Sequence, residues 1–195
     1  MKTGRPRSFD TAEALSAAMA VFWQHGYEGA SLVQLQAATG LTPPSIYNAF
    51  GSKEGLYLAC LEHYATGPGA LPVAPLREKA PSKDGVREFL LLAAREFTQP
   101  GRPKGCMIST AALNLGPDVS TIGAAPAKYR ATTMAMVADY LRRAQENGAL
   151  AASVNPEALA RHFGATIQGM SVQACDGATT EELSEVAELA LTAWP

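Results

Sequence analysis

The sequence predicts an all-α protein of about nine helices, and three observations support this prediction. Apolar residues recur at three- and four-residue spacing through most of the chain, beginning with the run from Leu15 to Phe22. Glycine, proline and capping residues interrupt that pattern at intervals typical of helix lengths. No stretch alternates strictly between apolar and polar residues, as a half-buried strand does. We therefore predict an N-terminal domain of three or four short helices over residues 1–66 and a larger helical domain over residues 67–195.

The first helix is predicted over residues 10–25. Asp10 and Glu13 have the spacing of a capping box, in which two side chains bond each other's backbone N–H groups. Gly26 follows the last apolar residue of the pattern and is expected to end the helix.

Residues 31–50 have the spacing of a helix-turn-helix. Ser31 is expected to cap a short helix that ends at Gly40. Thr42 then caps a second short helix with Pro43 at its first position, where the missing N–H costs nothing. Many helical bundles contain such a pair, so the spacing alone leaves DNA binding and ordinary core packing equally open.

A connection rich in proline and glycine follows the fourth helix. Ser52 is expected to cap that helix, which continues to about residue 66. The segment from Gly67 to Pro81 then contains four prolines. Because proline removes a backbone donor and fixes φ, we predict an irregular connection over this segment and place the domain boundary there.

Five helices are predicted beyond this connection. The longest is expected to be interrupted or kinked near Pro126, since proline removes an internal hydrogen bond. The predicted segments cover about residues 84–98, 106–115, 119–147, 155–175 and 179–193.

Charge and composition restrict the location and the partners of the protein. The net charge of −2 gives no general affinity for nucleic acid, but Lys2, Arg5 and Arg7 precede the first acidic residue. These residues form either a DNA-contacting arm or a solvated tip. No segment approaches the roughly 18 apolar residues of a membrane span, and no secretion signal is visible, so a cytoplasmic protein without membrane contact is expected.

The run SLVQLQAATGLTPPSIYNAFGSKEGLYLACLEHY resembles the DNA-binding region of TetR-family transcription regulators. In that family a small cap, a glycine turn, a capped recognition helix, an aromatic pair and Gly-Ser-Lys-Glu follow in this order. The resemblance extends over about residues 9–64. The residues in register are Ser31, Gly40, Thr42, Tyr47, Phe50, Gly51, Ser52, Lys53, Glu54 and Leu56.

The resemblance implies a ligand-responsive repressor that binds double-stranded operator DNA as a homodimer. A small molecule in the C-terminal domain would move the fourth helix and separate the two recognition helices from adjacent major grooves. The segments GCMISTAALNLGP and PEALARHFGATIQGMSVQACDGATTEELSEVAELAL resemble one branch of the family more loosely. In relatives they form a ligand-domain helix and the two helices that dimerise.

Candidate DNA contacts follow from this resemblance and from side-chain chemistry. Thr42 and Ser45 can donate to or accept from base edges, and the Pro43 ring can touch thymine methyl groups. Lys53 stands at a helix start, where free N–H groups already favour a phosphate, although an ordinary solvated lysine is the alternative. The full set of candidates is Arg5, Arg7, Ser31, Thr42, Pro43, Ser45, Tyr47, Asn48 and Lys53.

The predicted recognition helix departs from the family in its charge. No lysine or arginine lies between Leu32 and Ser52, and Pro43 and Pro44 stand where relatives often carry charged, polar or small residues. Affinity for DNA is therefore expected to depend on the N-terminal arm, Lys53, the helix ends and the doubling of contacts by a dimer.

Thioether and aromatic side chains in the second half suggest a pocket for an apolar or aromatic effector, because such side chains line adaptable cavities. A filled core is the alternative for each of them. The candidate pocket residues are Phe97, Met107, Met134, Val137, Tyr140, Phe163 and Ile167.

Cys106 is a candidate redox or electrophile sensor. It is predicted at a helix start just after Arg102 and Lys104, an arrangement that makes a thiol more reactive. The alternative is a small apolar residue packed under the loop. Cys60 and His63 could begin a metal site, but no further ligands follow, so neither a metal nor another cofactor is expected.

The last two predicted helices carry apolar stripes that are expected to pair with those of a second subunit in an isologous four-helix interface. The candidate interface residues are Leu159, Phe163, Ile167, Met170, Ala174, Leu183, Val186 and Ala190.

The competing hypothesis for the whole chain is a helical ligand carrier or enzyme without DNA binding. We find no zincin motif, phosphate loop, nucleophile elbow or acid pair, so no catalytic residue is proposed.

Overall fold

The computed structural model describes residues 11–110 and 120–195 of the chain. These residues form ten α-helices and no strand, which confirms the all-helical prediction. The helices are α1 Thr11–Gly29, α2 Leu32–Thr39, α3 Pro43–Phe50, α4 Lys53–Thr66, α5 Ala74–Glu78, α6 Lys83–Phe97, α7 Met107–Thr110, α8 Ser120–Glu146, α9 Pro156–Cys175 and α10 Thr180–Ala190. Of the described helices, none has both the length and the apolar content to cross a lipid bilayer.

Local capping explains why several helices begin where they do. The Ser31 hydroxyl accepts from the Gln34 amide at 3.2 Å, and the Gln34 side chain accepts from the Ser31 amide at 2.8 Å, so the predicted capping box is present. The Ser52 hydroxyl likewise accepts from the Gly55 amide at 3.0 Å. Each bond satisfies a backbone donor that the first turn of a helix leaves free, typically stabilising the helix by about 1 kcal/mol.

Two helix boundaries differ from the predictions. Gly26 has φ +70° and breaks the regular helix as expected, but a short helical turn carries α1 on to Gly29. The connection predicted to be irregular contains a 3₁₀ turn, Pro68–Ala70, and the five-residue helix α5. Pro75 stands in the first turn of α5, where its missing N–H is not needed, and burial of Leu76 holds the turn in place.

α8 is a single helix that continues through Pro126. The predicted interruption is therefore absent from the described part of the chain. Pro126 removes one backbone donor, so only the Ile122 carbonyl loses its bonding partner within the helix, and the helix continues on both sides.

The buried side chains form two clusters. The N-terminal cluster joins α1, α2, α3 and α4, and the C-terminal cluster joins α5, α6, α8, α9 and α10. Met107 of α7 and Ile122 of α8 belong to the N-terminal cluster, although both lie far beyond the connection in sequence. α7 therefore packs into the core of the helix-turn-helix part, and this contact physically joins the two halves.

Aromatic contacts fix α1 against α4. The Phe22 and Tyr57 rings meet edge to face with centroids 5.2 Å apart, and Trp23 and Tyr64 do so at 4.9 Å. Tyr27 also packs against Tyr57, at 5.2 Å. Such pairs add about 0.5–1.5 kcal/mol each to the stabilisation from burial and so strengthen the packing of α4 against α1.

Candidate DNA interface and effector cavity

One face of the α3 helix packs into the N-terminal cluster, and the opposite face is polar and exposed. Ile46 is fully buried, whereas Thr42, Tyr47 and Asn48 are exposed. The Thr42 hydroxyl makes no capping bond to the backbone and instead lies 3.0 Å from the Ser45 hydroxyl. Both hydroxyls stand at the start of the helix with further donor and acceptor capacity, as a base-reading position requires.

Lys53 begins α4 and extends over an aromatic ring. Its Nζ lies 4.6 Å from the centroid of Tyr27, a cation–π contact that holds the side chain beside the helix start. Partial burial lowers the pKa of Lys53 from its ordinary value, and the carboxylate of Glu28 opposes that shift. The ammonium group and the N–H groups of the first turn together form a site suited to one phosphate.

The other predicted DNA contacts are distributed differently. Ser31 is exposed, but its hydroxyl also donates to the Gln34 side chain at 2.8 Å and is engaged in starting α2. Pro43 is half-buried at the first turn of α3. Arg5 and Arg7 lie outside the described residues.

A cavity of about 80 Å³ lies between the two halves of the molecule. α4, α6, α7, α8, α9 and the connection around Pro72 all contribute to its wall. Gly164 lets α9 approach α8 here, because a Cβ atom at that position would lie 2.1 Å from the Met134 sulfur. The lining residues are Tyr64, Gly69, Pro72, Val73, Phe89, Phe97, Cys106, Ile108, Ser109, Arg130, Thr133, Met134, Val137, Gly164, Ile167 and Gln168.

Four of the seven predicted pocket residues line this cavity: Phe97, Met134, Val137 and Ile167. The other three do not, and each is buried elsewhere. Met107 fills the N-terminal cluster, and Phe163 fills the C-terminal cluster. The Tyr140 hydroxyl donates to the Ala80 carbonyl at 2.9 Å and accepts from the Ser82 amide at 3.1 Å, which pins the loop before α6.

Sequence reasoning missed the polar part of the cavity wall. Tyr64, Arg130 and Gln168 all contribute to it. The prediction selected apolar and thioether residues, so polar side chains on the same helix faces were passed over. The 3.6-residue period of α8 offered the only available signal, since Arg130, Met134 and Val137 share one face.

Cys106 lines the cavity, but the cations expected to activate it are engaged elsewhere. Arg102 pairs with Glu96 at 2.7 Å, and the Lys104 ammonium donates to the Thr98 carbonyl at 2.7 Å. The Cys106 amide donates to the Ser171 hydroxyl at 2.8 Å, which ties the loop to α9. Arg102 and Lys104 are therefore not directed at the Cys106 thiol, although Cys106 does line a cavity.

The other two thiols differ from Cys106 in their surroundings. Cys60 is fully buried, and burial raises the pKa of its thiol to about 12. Cys175 is exposed at the end of α9, and partial burial of its sulfur raises its pKa as well.

The predicted dimer stripe faces mostly inward. Six of its eight residues are already buried within one subunit, because they form the contact of α9 and α10 with α6 and α8. Ile167 and Val186 are half-buried. Helical spacing marked a buried face correctly, but it could not tell the subunit's own core from a partner. The six inward-facing residues are Leu159, Phe163, Met170, Ala174, Leu183 and Ala190.

The exposed face of the same two helices carries different apolar residues. Val172 of α9 is 46% exposed, and Leu189 of α10 is 70% exposed. Gly169 and Ala165 are exposed one and two turns before Val172 on the same face of α9. These four residues are apolar or small, and the small ones permit close approach of another helix.

Two hydrogen bonds link the loop and α7 to their neighbours. The Trp23 indole of α1 donates to the Lys104 carbonyl at 3.1 Å. The Arg130 guanidinium of α8 donates to the Ile108 carbonyl at 2.7 Å. A displacement of α7 and the loop before it would therefore change contacts with both α8 and the helix-turn-helix part.

Comparison with known proteins identifies relatives over nearly the whole length. The family model described as bacterial regulatory proteins, tetR family, matches residues 14–60. The chain is 34% identical over 193 residues to the HTH-type transcriptional repressor ComR of Escherichia coli strain K12, covering 98% of this chain and 92% of the relative. It is 31% identical over 188 residues to the repressor BdcR of the same strain, covering 96% and 90%.

Among solved structures, the chain is similar to the TetR family transcriptional regulator CifR, a cysteine mutant complexed with 26-base-pair double-strand operator DNA. The two share 40% sequence identity and superpose with a TM-score of 0.94. The similarity covers 98% of this chain and 100% of that one.

Proposed function

Since this chain belongs to the TetR family of bacterial regulatory proteins, we propose that it represses transcription by binding operator DNA as a homodimer until a small molecule releases it. The main support is the close similarity to CifR, which was solved on its operator. The exposed hydroxyl pair of Thr42 and Ser45 and the position of Lys53 at the start of α4 agree with this role.

In this proposal the base contacts and the phosphate contacts come from different helices. Thr42 and Ser45 face the base edges, where hydroxyl groups read sequence. Lys53 holds a phosphate, which adds affinity for any sequence and fixes the position of α3 in the major groove. Asn48 and Tyr47 are exposed on the same helix and supply further phosphate contacts.

The homodimer is proposed to form through the exposed face of α9 and α10. Val172 and Leu189 would be the apolar centre of the interface, and Ala165 and Gly169 would allow the two α9 helices to approach closely. A two-fold axis between them makes a four-helix contact and sets the distance between the two α3 helices. That distance has to match one turn of DNA, about 34 Å, for both helices to enter the major groove.

The effector is proposed to occupy the cavity between the two halves. Tyr64 of α4 forms part of its wall, and α4 is fixed to α1 by aromatic contacts. A molecule that pushes Tyr64 outward would therefore rotate the whole helix-turn-helix part rather than α4 alone. Rotation of each subunit changes the separation of the α3 helices and releases the DNA.

A thiol signal at Cys106 is a second candidate for the input. Its support is the position of the thiol in the wall of the same cavity, where an electrophile that entered would meet it. Modification at this point would enlarge the side chain within a small cavity and act on α4 as a bound effector does. Its test is whether a Cys106→Ser variant still releases DNA when an electrophile such as iodoacetamide is added.

A mobility-shift titration tests the proposed function as a whole. The DNA is the sequence flanking the protein's own gene, and the competitor is random duplex of equal length. We expect specific binding at least about a thousandfold tighter than random binding. Equal affinity for both duplexes would favour the ligand carrier or enzyme that lacks DNA binding.

A further inference from the structure

Arg130 of α8 carries a positive charge into the wall of the effector cavity. It is half-buried, and among the described residues it donates a hydrogen bond to the Ile108 carbonyl at 2.7 Å. No described carboxylate forms an ion pair with it. The described residues that line the cavity include neither aspartate nor glutamate. The guanidinium therefore has further donors and a charge that the surrounding described side chains do not neutralise.

The other described arginines are either paired or solvated. Four of them form ion pairs with aspartate or glutamate. Three others, Arg77, Arg95 and Arg161, are exposed to water. Only Arg130, among the arginines that the structure describes, is partly removed from water without a carboxylate beside it. A cation in that position costs free energy unless an anion accompanies it.

A second polar group near Arg130 also lacks a partner. The Tyr57 hydroxyl is fully buried, and no described residue hydrogen-bonds to it. Burial raises the pKa of Tyr57, and the Arg130 charge is close enough to oppose that shift. Tyr57 does not line the cavity, so Arg130 is the group that an anion in the cavity would meet.

We propose that the cavity binds a small organic carboxylate, with its carboxylate paired to Arg130 and its apolar part among Phe97, Met134 and Ile167. This proposal depends on the proposed function, in which the cavity is the effector site. The planar guanidinium presents parallel N–H groups that match the two oxygens of a carboxylate.

The size of the cavity restricts the ligand further. At about 80 Å³ it has roughly half the volume of the 150 Å³ apolar cavity that holds benzene. An acid of three or four carbon atoms is therefore the best match, and a larger one requires the walls to move. Arg130 is the only charged residue among the described lining residues, so a phosphate dianion would leave one negative charge without a cation and is a poorer fit.

Carboxylate binding would also act on α7. The bond from Arg130 to the Ile108 carbonyl ties α8 to α7, while Met107 of α7 is buried in the N-terminal cluster. A carboxylate that binds two of the remaining N–H groups fixes the plane of the guanidinium, and a turn of that plane would break the weaker bond to the neutral carbonyl. Loss of the Ile108 bond would free α7 to move with the helix-turn-helix part, which is the step that releases DNA.

Calorimetric titration of the full chain with matched pairs of probes tests this proposal. The probes are propionate, isobutyrate and benzoate, each compared with its uncharged amide in chloride-free buffer. We expect at least one acid to bind about tenfold or more tightly than its amide. The Arg130→Gln variant should lose that preference, Arg130→Lys should keep part of it, and Arg161→Gln is the matched control because Arg161 is exposed on α9.

Several results would overturn the proposal. They are equal affinity for every acid and its amide, an undiminished preference in Arg130→Gln, inorganic phosphate binding as tightly as the best acid, or no binding by any acid up to high millimolar concentration. The comparison of acid with amide uses the unaltered protein, so it holds even if Arg130→Gln fails to fold. Operator binding by the ligand-free protein is measured separately, and its absence would refute the proposed function instead.

Discussion

The exposed side chains of α3 are uncharged, whereas the cavity between the two halves is lined by an arginine that no described carboxylate neutralises. Thr42 is exposed and Ser45 is half-buried at the start of α3, and Arg130 lines an otherwise mainly apolar space. The first surface suits a large polyanion that brings its own charge pattern and is read by weak polar contacts. The second suits one small ligand bound by one strong contact. Selectivity on α3 would therefore come from several weak polar contacts, whereas affinity in the cavity would come mainly from one charged contact.

The largest expected effect on stability comes from comparing a buried residue of α9 with an exposed one. Met170 is fully buried in its own subunit, and Val172 is 46% exposed two residues later. Met170→Arg should bury an unpaired charge and destabilise the fold by about 3–5 kcal/mol or more. Val172→Arg should leave a folded chain and weaken the dimer. Thermal unfolding and light scattering measure the two effects, and a folded monomer from Met170→Arg would show that our assignment of the inner face is wrong.

The next effect concerns the phosphate contact at α4. Each neutralised phosphate contributes about 0.9 to the slope of log affinity against log salt, and a dimer makes the contact twice. Lys53→Ala should therefore reduce the slope by roughly 2 and weaken binding to all sequences alike. Lys79→Ala is the matched control, because it removes an exposed charge from the C-terminal half. An unchanged slope for Lys53→Ala would exclude a phosphate at the start of α4.

Cys60 gives the N-terminal cluster a pH dependence. Its pKa is raised from an ordinary value of 9.0 to about 12 in the folded state, so the neutral thiol is favoured by folding. That stabilisation is complete below about pH 9 and is lost as pH rises through about 12, because the unfolded chain ionises first. We expect the free energy of unfolding to fall over this range in wild type and less steeply in Cys60→Ala. Identical slopes would contradict the burial of the thiol.

Substitutions of Ser31 and Thr42 are expected to differ in their effect on the free energy of unfolding. The Ser31 hydroxyl caps α2, whereas the Thr42 hydroxyl makes no capping bond. Ser31→Ala should lower the free energy of unfolding by about 1 kcal/mol in a denaturant titration. Thr42→Val keeps the shape of the side chain and should change stability by less than about 0.5 kcal/mol. The reverse order would mean that the hydroxyls have other roles.

The sequence was sufficient for the elements that depend on local chemistry. The capping box of Ser31 and Gln34, the proline start of α3 and the cap at Ser52 all involve residues close in sequence, and the structure confirms them. The TetR-like motif is equally local, which is why it predicted the family. The short helix α5 was missed because its prolines suggested a break, although packing of Leu76 stabilises a helical turn.

The cavity and the dimer surface could not be read in the same way. Phe163 and Ile167 share a helical stripe, yet Phe163 fills the core and Ile167 lines the cavity. Met170 and Val172 are two residues apart and differ in which side of α9 they occupy. Periodicity identifies an apolar face, but it does not say which neighbour covers it. Arg130 was missed because the sequence does not show which side chains surround it. Only the folded structure shows that no described carboxylate pairs with it.

The most direct test of this account is the specificity ratio, measured as the Kd for random duplex divided by the Kd for the DNA flanking the protein's own gene. Fluorescence anisotropy at one fixed salt concentration gives this ratio for wild type, Thr42→Val and Lys53→Ala. A lost base contact is worth about 1–3 kcal/mol of discrimination, so Thr42→Val should reduce the ratio by about fivefold or more. Lys53→Ala should weaken both affinities and leave the ratio within about twofold. A wild-type ratio near one, or an unchanged ratio in Thr42→Val, would contradict the assignment of α3 as the helix that reads the operator.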